Sequence, residues 1–311
     1  MFCLSQQSNI SYFELPDNHL IFQKIKMLVP MGQFAQTNNI NLHYIDHGGE
    51  GPKLLLMHGL TANAHAFDGF IGAGLNRHFH LYTVDLRGRG LSDKPESGYT
   101  MAAHAEDIAG LLDQLSEGRI LLGGHSFGAL LSIFIASNYP ERVEKLILID
   151  AAARMHPNVK ELVGPSMLRL GKRWPSFEDY LEKIKSAPFL TGRWHPDMEG
   201  YYRADVYDLP EGGVTTYASL GHISQAIEGA LELGEGWLHH IRSVKQPTLL
   251  INATDPYGPP DTPAILPKEL ALETVNMMQD CRYVEVSGNH VTMLYGQGTE
   301  ESVQAMVGFA G

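Results

Sequence analysis

The stretch ILLGGHSFGALLSIFIAS, Ile120 to Ser137, decides the fold. It starts as a short apolar run, passes through Gly124-His125-Ser126-Phe127-Gly128, and continues as an apolar segment of helical length. The pentapeptide matches G-x-S-x-G, and its context predicts a sharp turn between a buried strand and a buried helix. Such a turn projects the serine hydroxyl from the carboxyl edge of a sheet, and the flanking glycines avoid clashes with neighbouring elements. The sequence therefore predicts that Ser126 is a nucleophile.

Apolar runs on both sides of this stretch alternate with helical patterns. Met101 to Leu115 has the apolar spacing of a half-buried helix, and Phe127 to Ser137 is apolar all round. Several of the runs are continuously apolar, as strands buried on both faces of a parallel sheet are. The predicted strands are Asn41–Asp46, Lys53–Met57, Leu81–Val84, Ile120–Leu122, Leu146–Ile149, Thr248–Ile251 and Arg282–Val286. This alternation predicts an α/β fold with a doubly wound, mostly parallel sheet.

The alternation of strands and helices stops after Asp150. Residues 151–240 show no clean strand pattern, but they contain helical pieces, Gly/Pro breaks and all three tryptophans of the chain. Unstructured loops of that length are rare in compact domains, so we expect a helical lid inserted after the sixth core strand. The core is then formed by residues 33–150 and 241–311. Residues 1–32 are predicted to be an N-terminal arm or extension.

Composition excludes some classes of partner. The chain has 23 Lys+Arg against 35 Asp+Glu, a net charge of −12, whereas nucleic acids and anionic membranes require clustered basic residues. The longest apolar stretch is too short to span a bilayer, and two cysteines, Cys3 and Cys281, favour free thiols in a reducing compartment. We therefore expect a cytoplasmic protein that acts on a small molecule. Metal and nucleotide motifs do not occur in the sequence, so we expect no metal and no cofactor, and the oligomeric state stays open.

A serine nucleophile needs a base and an acid further along the chain. His290 follows the last predicted strand and is the only histidine after His240, so it is the candidate base. Asp255 closes the strand before it and matches the chain order Ser, Asp, His, which makes it the preferred acid. Asp150 ends the preceding strand and is the alternative, since it could reach the same imidazole. Asp261, in a Pro-rich loop, is a weaker third option.

The negative charge that develops on a substrate oxygen needs backbone N–H donors. Phe127, directly after the nucleophile, is predicted to provide one donor, and Leu60, in the loop after KLLLM, the other. Gly59 would let that loop approach the substrate closely. Trp174 and Trp194, together with Leu60 and Phe127, are the candidate lining of an apolar pocket. Arg87 and Arg89 are expected to brace loops through ion pairs.

Six segments together resemble the α/β-hydrolase family. They are MHGLTAN (57–63), VDLRGRGLSD (84–93), GHSFG (124–128), NYPERVEKLILID (138–150), TLLINATD (248–255) and GNH (288–290). The resemblance extends from about Gln33 to Gly311 and is closest to the branch of carboxylesterases, lactonases, carbon–carbon bond hydrolases, haloalkane dehalogenases and cofactor-free haloperoxidases. It implies the fold strongly and the substrate only weakly.

Three positions narrow the reaction that this resemblance implies. Dehalogenases and epoxide hydrolases of this fold use an aspartate where Ser126 stands. Carbon–carbon hydrolases usually carry a tryptophan after the catalytic histidine, where this chain has Val291, and an asparagine before the nucleophile, where it has His125. The resemblance thus predicts a serine hydrolase acting on a small to medium carboxylic ester or lactone. A carbon–carbon hydrolase or perhydrolase with the same triad, and a non-enzymatic ligand receptor, are the alternatives.

Overall fold

An eight-stranded sheet forms the centre of the computed structural model, which describes residues 32–311. The strands are β1 (Gln33–Thr37), β2 (Ile40–Asp46), β3 (Lys53–Met57), β4 (His80–Val84), β5 (Ile120–His125), β6 (Val143–Ile149), β7 (Val206–Asp208), β8 (Val214–Thr216), β9 (Thr248–Ala253) and β10 (Cys281–Val286). The order in the large sheet is β1-β2-β4-β3-β5-β6-β9-β10. β2 pairs antiparallel with both of its neighbours, β1 and β4, and the other pairs of neighbouring strands are parallel, which confirms the predicted mostly parallel sheet.

The central strands are buried on both faces. Every residue of β5 and of β9 is buried, as their continuously apolar sequences require. Along β3, Leu55 and Met57 join one hydrophobic cluster and Leu54 and Leu56 join another, so alternate side chains point to opposite faces. Both faces are therefore covered, which is the defining property of a doubly wound sheet.

Ten α-helices are described within residues 32–311. They are α1 (Asp68–Gly72), α2 (Met101–Leu115), α3 (Phe127–Asn138), α4 (Val159–Met167), α5 (Phe177–Lys185), α6 (Met198–Ala204), α7 (Leu220–Leu231), α8 (Gly236–Ser243), α9 (Lys268–Met277) and α10 (Gln297–Ala310). Short 3-10 turns occupy Ala64–Phe67, Leu75–Arg77, Pro140–Arg142, Pro188–Leu190 and Thr292–Leu294. Helix α3 is buried on most of its surface, as its apolar sequence predicts. None of the helices in the described part of the chain has the length and apolar character needed to cross a membrane.

The segment between β6 and β9 is largely helical. It contains α4 to α8, together with a hairpin of β7 and β8. The sequence pattern predicts no strand in this segment, because strands of three residues are too short to show an alternation of apolar and polar positions. The proposed N-terminal arm, residues 1–32, and with it Cys3, lies outside the described residues except for Gly32.

Candidate active site

Ser126 lies on a strained turn between β5 and α3, as its motif predicts. Its backbone angles, φ 54° and ψ −117°, are unusual for a residue with a side chain, and its N–H donates to the carbonyl of Ile149 at 2.9 Å. The neighbouring glycines are required by contact. A Cβ at Gly124 would lie 2.4 Å from the backbone of Gly128, and a Cβ at Gly128 would lie 2.0 Å from the carbonyl oxygen of Met57. The strand–turn–helix geometry therefore forces the hydroxyl out of the sheet edge.

His290 reaches the serine from the loop after β10. Its Nε2 lies 3.0 Å from Ser126 Oγ, within hydrogen-bonding distance. Asn289 holds this loop: its side-chain oxygen accepts from the N–H groups of Val291 and Thr292, and its amide donates to Phe189 of the inserted segment. Sequence reasoning did not identify Asn289, although the Gly-Asn turn in front of the histidine was the available signal.

His125, the residue before Ser126, also holds the loop that carries His290. It is buried, and its Nε2 donates to the backbone carbonyl of His290 at 2.7 Å. Burial is the main reason that the pKa of His125 falls well below its usual value. The side chain therefore acts as a neutral structural donor.

The carboxylate that contacts His290 belongs to Asp150, so the preferred acid, Asp255, is wrong on geometry. Asp150 Oδ2 lies 2.7 Å from His290 Nδ1, and the residue is fully buried. Asp255 instead pairs with Arg193 at 2.8 Å, and about half of its side chain is exposed. The third option, Asp261, is also exposed.

Sheet order explains why Asp150 takes this position. Strand β6 lies directly beside β5, so the residue after β6 is next to the serine turn. Strand β9 is one strand further away, and Asp255 follows it by two residues. The second oxygen of Asp150 accepts from the Asn252 side chain and from the N–H of Ala253, each at 2.9 Å. These bonds orient the carboxylate toward the imidazole.

The loop after β3 packs against the nucleophile. A methyl group added at Gly59 would lie 3.2 Å from His125 Nδ1 and 3.4 Å from Ser126 Cβ. His58 is fully buried, and its Nε2 accepts from the N–H of Leu86, so its Nδ1 carries the proton and donates to Gly59 O at 2.7 Å. Burial lowers the pKa of His58 to about 4. Because Gly59 C=O and Leu60 N–H belong to one trans peptide, this bond also orients the Leu60 N–H.

Arg89 holds the other side of Leu60. It is fully buried, its Nε donates to Leu60 O at 3.0 Å, and its guanidinium carbon lies 5.4 Å from the centre of the Phe127 ring. Burial lowers its pKa to about 10, and no carboxylate within residues 32–311 forms an ion pair with it. Arg87 does form the expected ion pair, with two bonds of 2.6 Å to Asp107. The expectation of ion pairing thus holds for Arg87 and is wrong for Arg89.

A cavity of about 670 Å³ opens at Ser126 and His290. Leu60, Phe127 and Trp174 line it, as predicted, together with four buried tyrosines, Tyr201, Tyr202, Tyr257 and Tyr295. Trp194 is not among the residues that line this cavity; its ring stacks on Tyr202, with centres 6.0 Å apart. The structure thus brings Ser126, His290, Leu60, Phe127, Trp174 and the alternative Asp150 together at one site, and leaves Trp194 and Asp255 outside it.

Metal-ligating side chains do not cluster in the part of the chain that the structure describes. No group of three or more His, Cys, Asp or Glu in residues 32–311 is arranged to hold a metal ion. Ser126 and His290 line the cavity, and Asp150 lies behind them in contact with His290.

Comparisons with known proteins identify the family. The α/β hydrolase fold family model matches residues 52–282. The 2-(acetamidomethylene)succinate hydrolase of Mesorhizobium japonicum is 33% identical over 207 residues, which are 65% of this chain and 70% of that protein. The N-formylmaleamate deformylase of Pseudomonas putida is 36% identical over 120 residues, which are 38% of this chain and 44% of that protein.

Solved structures show the same architecture. The crystal structure of E-2-(acetamidomethylene)succinate hydrolase superimposes with a TM-score of 0.77 and 24% identity, over 90% of this chain and 98% of the other. A thioesterase domain from the curacin biosynthetic pathway superimposes with a TM-score of 0.69 and 18% identity, over 91% and 99%. Identities this low show the fold alone. Because the family model covers most of the chain, from before the Leu60 loop to beyond β9, this protein belongs to the α/β hydrolase fold family.

Proposed function

We propose that this hydrolase cleaves its substrate through an acyl-enzyme on Ser126, with His290 as the base and Asp150 as the acid. The observation that carries the proposal is the continuous contact from Asp150 Oδ2 through the two nitrogens of His290 to Ser126 Oγ, with distances of 2.7 and 3.0 Å. A nucleophile bonded to a base, which is oriented in turn by a third group, is the arrangement that activates serine.

The proton moves as follows. His290 Nε2 accepts the Ser126 proton while Oγ attacks the carbonyl carbon of the substrate. Asp150 holds the imidazole in the tautomer with a proton on Nδ1 and stabilises the positive charge that His290 acquires. His290 then gives the proton to the leaving group, and the acyl-enzyme remains. Water activated by the same histidine releases the acid and restores Ser126.

The oxyanion is assigned to the backbone N–H groups of Leu60 and Phe127. Phe127 N–H lies at the first turn of α3, where helix N–H groups lack partners within the helix. Leu60 N–H belongs to a peptide whose carbonyl is tied by His58, and the residue lines the cavity beside Ser126. Rigid donors of this kind stabilise the charge that develops in the transition state without reorganising.

The inserted segment, residues 151–240, is assigned as a lid. It contributes Met155, Trp174, Tyr201, Tyr202 and many other residues to the cavity wall. Arg169 of this segment donates to Thr61 O at 2.8 Å, so the segment is tied to the loop that carries Leu60. A cover of this kind excludes water from the reacting carbonyl.

The first candidate for the substrate is a small to medium carboxylic ester or lactone, so that the bond cleaved is an ester bond. The apolar, aromatic wall and the volume of the cavity suit an acyl group of that size. A second candidate is an N-acyl bond, because the names of the two sequence relatives describe substrates with an acetamido and an N-formyl group. A carbon–carbon hydrolase or a perhydrolase would use the same three residues.

The test of the hydrolase proposal is labelling by a fluorophosphonate probe, followed by turnover of a substrate panel. We expect labelling of the wild type and none of Ser126→Ala, with near-identical melting temperatures as evidence of folding. The panel comprises p-nitrophenyl acetate and butyrate, a lactone, an N-acyl enamide, a vinylogous diketone and a peracid assay. Folded wild type that is neither labelled nor active would refute the proposal and favour a ligand receptor.

A further inference from the structure

The charged side chains around the active-site cavity all have the same sign. Lys160, Arg169, Lys172 and Lys183 line it, and none of the aspartates or glutamates in residues 32–311 does. Acidic residues outnumber basic ones by 35 to 23 in the whole chain, so this lining runs against the composition of the protein. The cavity is thus locally positive in a molecule with a net charge of −12.

Arg169 does not supply this positive charge to a ligand. Its side chain is buried, and its Nε donates to Asp205 Oδ2 at 2.9 Å, so the pair is close to neutral. Its other nitrogens donate to Ser166 O and Thr61 O. Its contacts make it a support for the cavity wall.

The three lysines carry the unbalanced charge. Lys160 lies on α4, Lys172 lies between α4 and α5, and Lys183 lies on α5, and all three are exposed. Within residues 32–311 the lysine that forms an ion pair is Lys268, with Glu285. The ammonium groups of Lys160, Lys172 and Lys183 therefore have no carboxylate partner among the described residues. They belong to different parts of the inserted segment, and because all three are exposed they line the solvent-facing part of the same cavity.

We propose that the natural substrate carries a carboxylate at the end remote from the bond that is cleaved, and that Lys160, Lys172 and Lys183 select it. This inference rests on the hydrolase function proposed above. The buried end of the cavity, beside Ser126, is apolar and aromatic and would not accept an unpaired charge. The charged end of the substrate therefore lies at the opening, and its carbonyl lies at the serine.

The physical effect of the lysines is attraction in a cleft with apolar walls. Each exposed ammonium is screened by salt and contributes modestly, but charges of one sign around a cleft raise the local concentration of an oppositely charged ligand. The selection should accordingly weaken as ionic strength rises.

Two esters of equal chain length test the proposal: mono-p-nitrophenyl adipate, which ends in a carboxylate, and p-nitrophenyl hexanoate, which ends in a methyl group. The measured quantity is the ratio of their kcat/KM values. We expect the wild-type ratio to fall as NaCl is raised, and the double variant Lys160→Gln/Lys183→Gln to lower it about fivefold at low salt. The control variant Arg242→Gln/Lys245→Gln removes the same net charge before β9, at the opposite edge of the sheet, and should leave the ratio unchanged.

A ratio that is insensitive to salt and equal in all three proteins would overturn the carboxylate proposal, while turnover of the hexanoate would leave the hydrolase proposal intact. If neither ester reacts and Ser126 is not labelled, the hydrolase proposal fails. Calorimetry then decides the charge selection separately: adipate should bind the wild type at least about fivefold more tightly than the Lys160→Gln/Lys183→Gln variant. Equal affinity for the two proteins would contradict it.

Discussion

The carboxylate of Asp150 lies 2.7 Å from Nδ1 of His290, in a position that is closed to solvent. One of its oxygens contacts the imidazole, and the other is held by the Asn252 side chain and the N–H of Ala253. Both oxygens are thus hydrogen-bonded, and the carboxylate cannot rotate away from the histidine without losing several hydrogen bonds.

Replacing this carboxylate should abolish most of the activity. In Asp150→Asn the amide cannot hold the imidazole in the tautomer that accepts the serine proton, so we expect kcat to fall by about 10³- to 10⁴-fold. In Asp255→Asn only the partly exposed pair with Arg193 is lost, and kcat should stay within about twofold of wild type. Steady-state rates on p-nitrophenyl butyrate measure both. An active Asp150→Asn beside an inactive Asp255→Asn would reverse the assignment.

The prediction of Asp255 as the acid, which the contact between Asp150 and His290 contradicts, shows which parts of the site can be read from local sequence patterns and which cannot. The strand, turn and helix around Ser126 follow from local patterns, and so does His290 at the end of the last strand. Asp150 and Asp255 both satisfy the chain order Ser, Asp, His, and local patterns cannot separate them. What places Asp150 rather than Asp255 beside the histidine is that β6, not β9, pairs with β5. Which distant strands pair cannot be deduced from the spacing of residues along the chain. The prediction of Trp194 as a lining residue is wrong for another reason: a tryptophan-rich segment does not show where each ring points, and this ring stacks on Tyr202.

A methyl group at Gly128 should disrupt the serine turn. The added Cβ would lie 2.0 Å from Met57 O and 2.8 Å from His58 O, both of them backbone atoms of β3 and the loop after it. We expect Gly128→Ala to reduce the free energy of unfolding by about 2–3 kcal/mol, and also to reduce kcat, because α3 and Ser126 must shift.

Gly308→Ala is the matched control for this change. Gly308 lies inside α10, and outside this helix's own backbone no atom of residues 32–311 lies within 4 Å of the added Cβ. The free energy of unfolding of this variant should therefore rise by about 0.5–1 kcal/mol, and its activity should be unchanged. Urea unfolding and turnover measure both variants. Equal stability of the two variants would contradict the steric argument.

Stability should decrease as the pH falls below neutrality. The pKa of His58 is lowered to about 4, and those of His104 and His125 well below their usual value, in each case chiefly by burial. The unfolded chain, with pKa values near 6.5, therefore binds more protons than the folded protein below about pH 6.5, and proton binding favours unfolding. For His58 the free energy of unfolding continues to fall until the pH reaches about 4, where the folded protein also binds this proton.

Each of these histidines should steepen the pH dependence of the free energy of unfolding by about 1.4 kcal/mol per pH unit. Urea midpoints at pH 7.5, 6.5 and 5.5 measure the fall. Burial also lowers the pKa of His47 to about 4, so potentiometry should show an uptake of about four protons on unfolding at pH 5.5. A midpoint that rises toward pH 5.5 would mean that these rings are charged in the folded state.

Arg89 is assigned as a positioning residue for the oxyanion site, because it holds Leu60 O and lies against the Phe127 ring. In Arg89→Met the carbonyl of Leu60, which belongs to the Leu60–Thr61 peptide, loses this donor. The loop can then shift and turn the Leu60 N–H of the preceding peptide away from the substrate oxygen, so we expect kcat to fall about tenfold or more while KM changes little. A merely structural role would lower the melting temperature and the number of active sites but not the rate at each site. Titration of active sites with the fluorophosphonate probe gives their number, so kcat per titrated site separates the two roles.

Arg89→Lys keeps the charge without the guanidinium geometry, and a partial recovery in that variant would show how much of the effect is electrostatic. An unchanged kcat per site in Arg89→Met would remove Arg89 from the mechanism and leave it as a brace for the loop after β3.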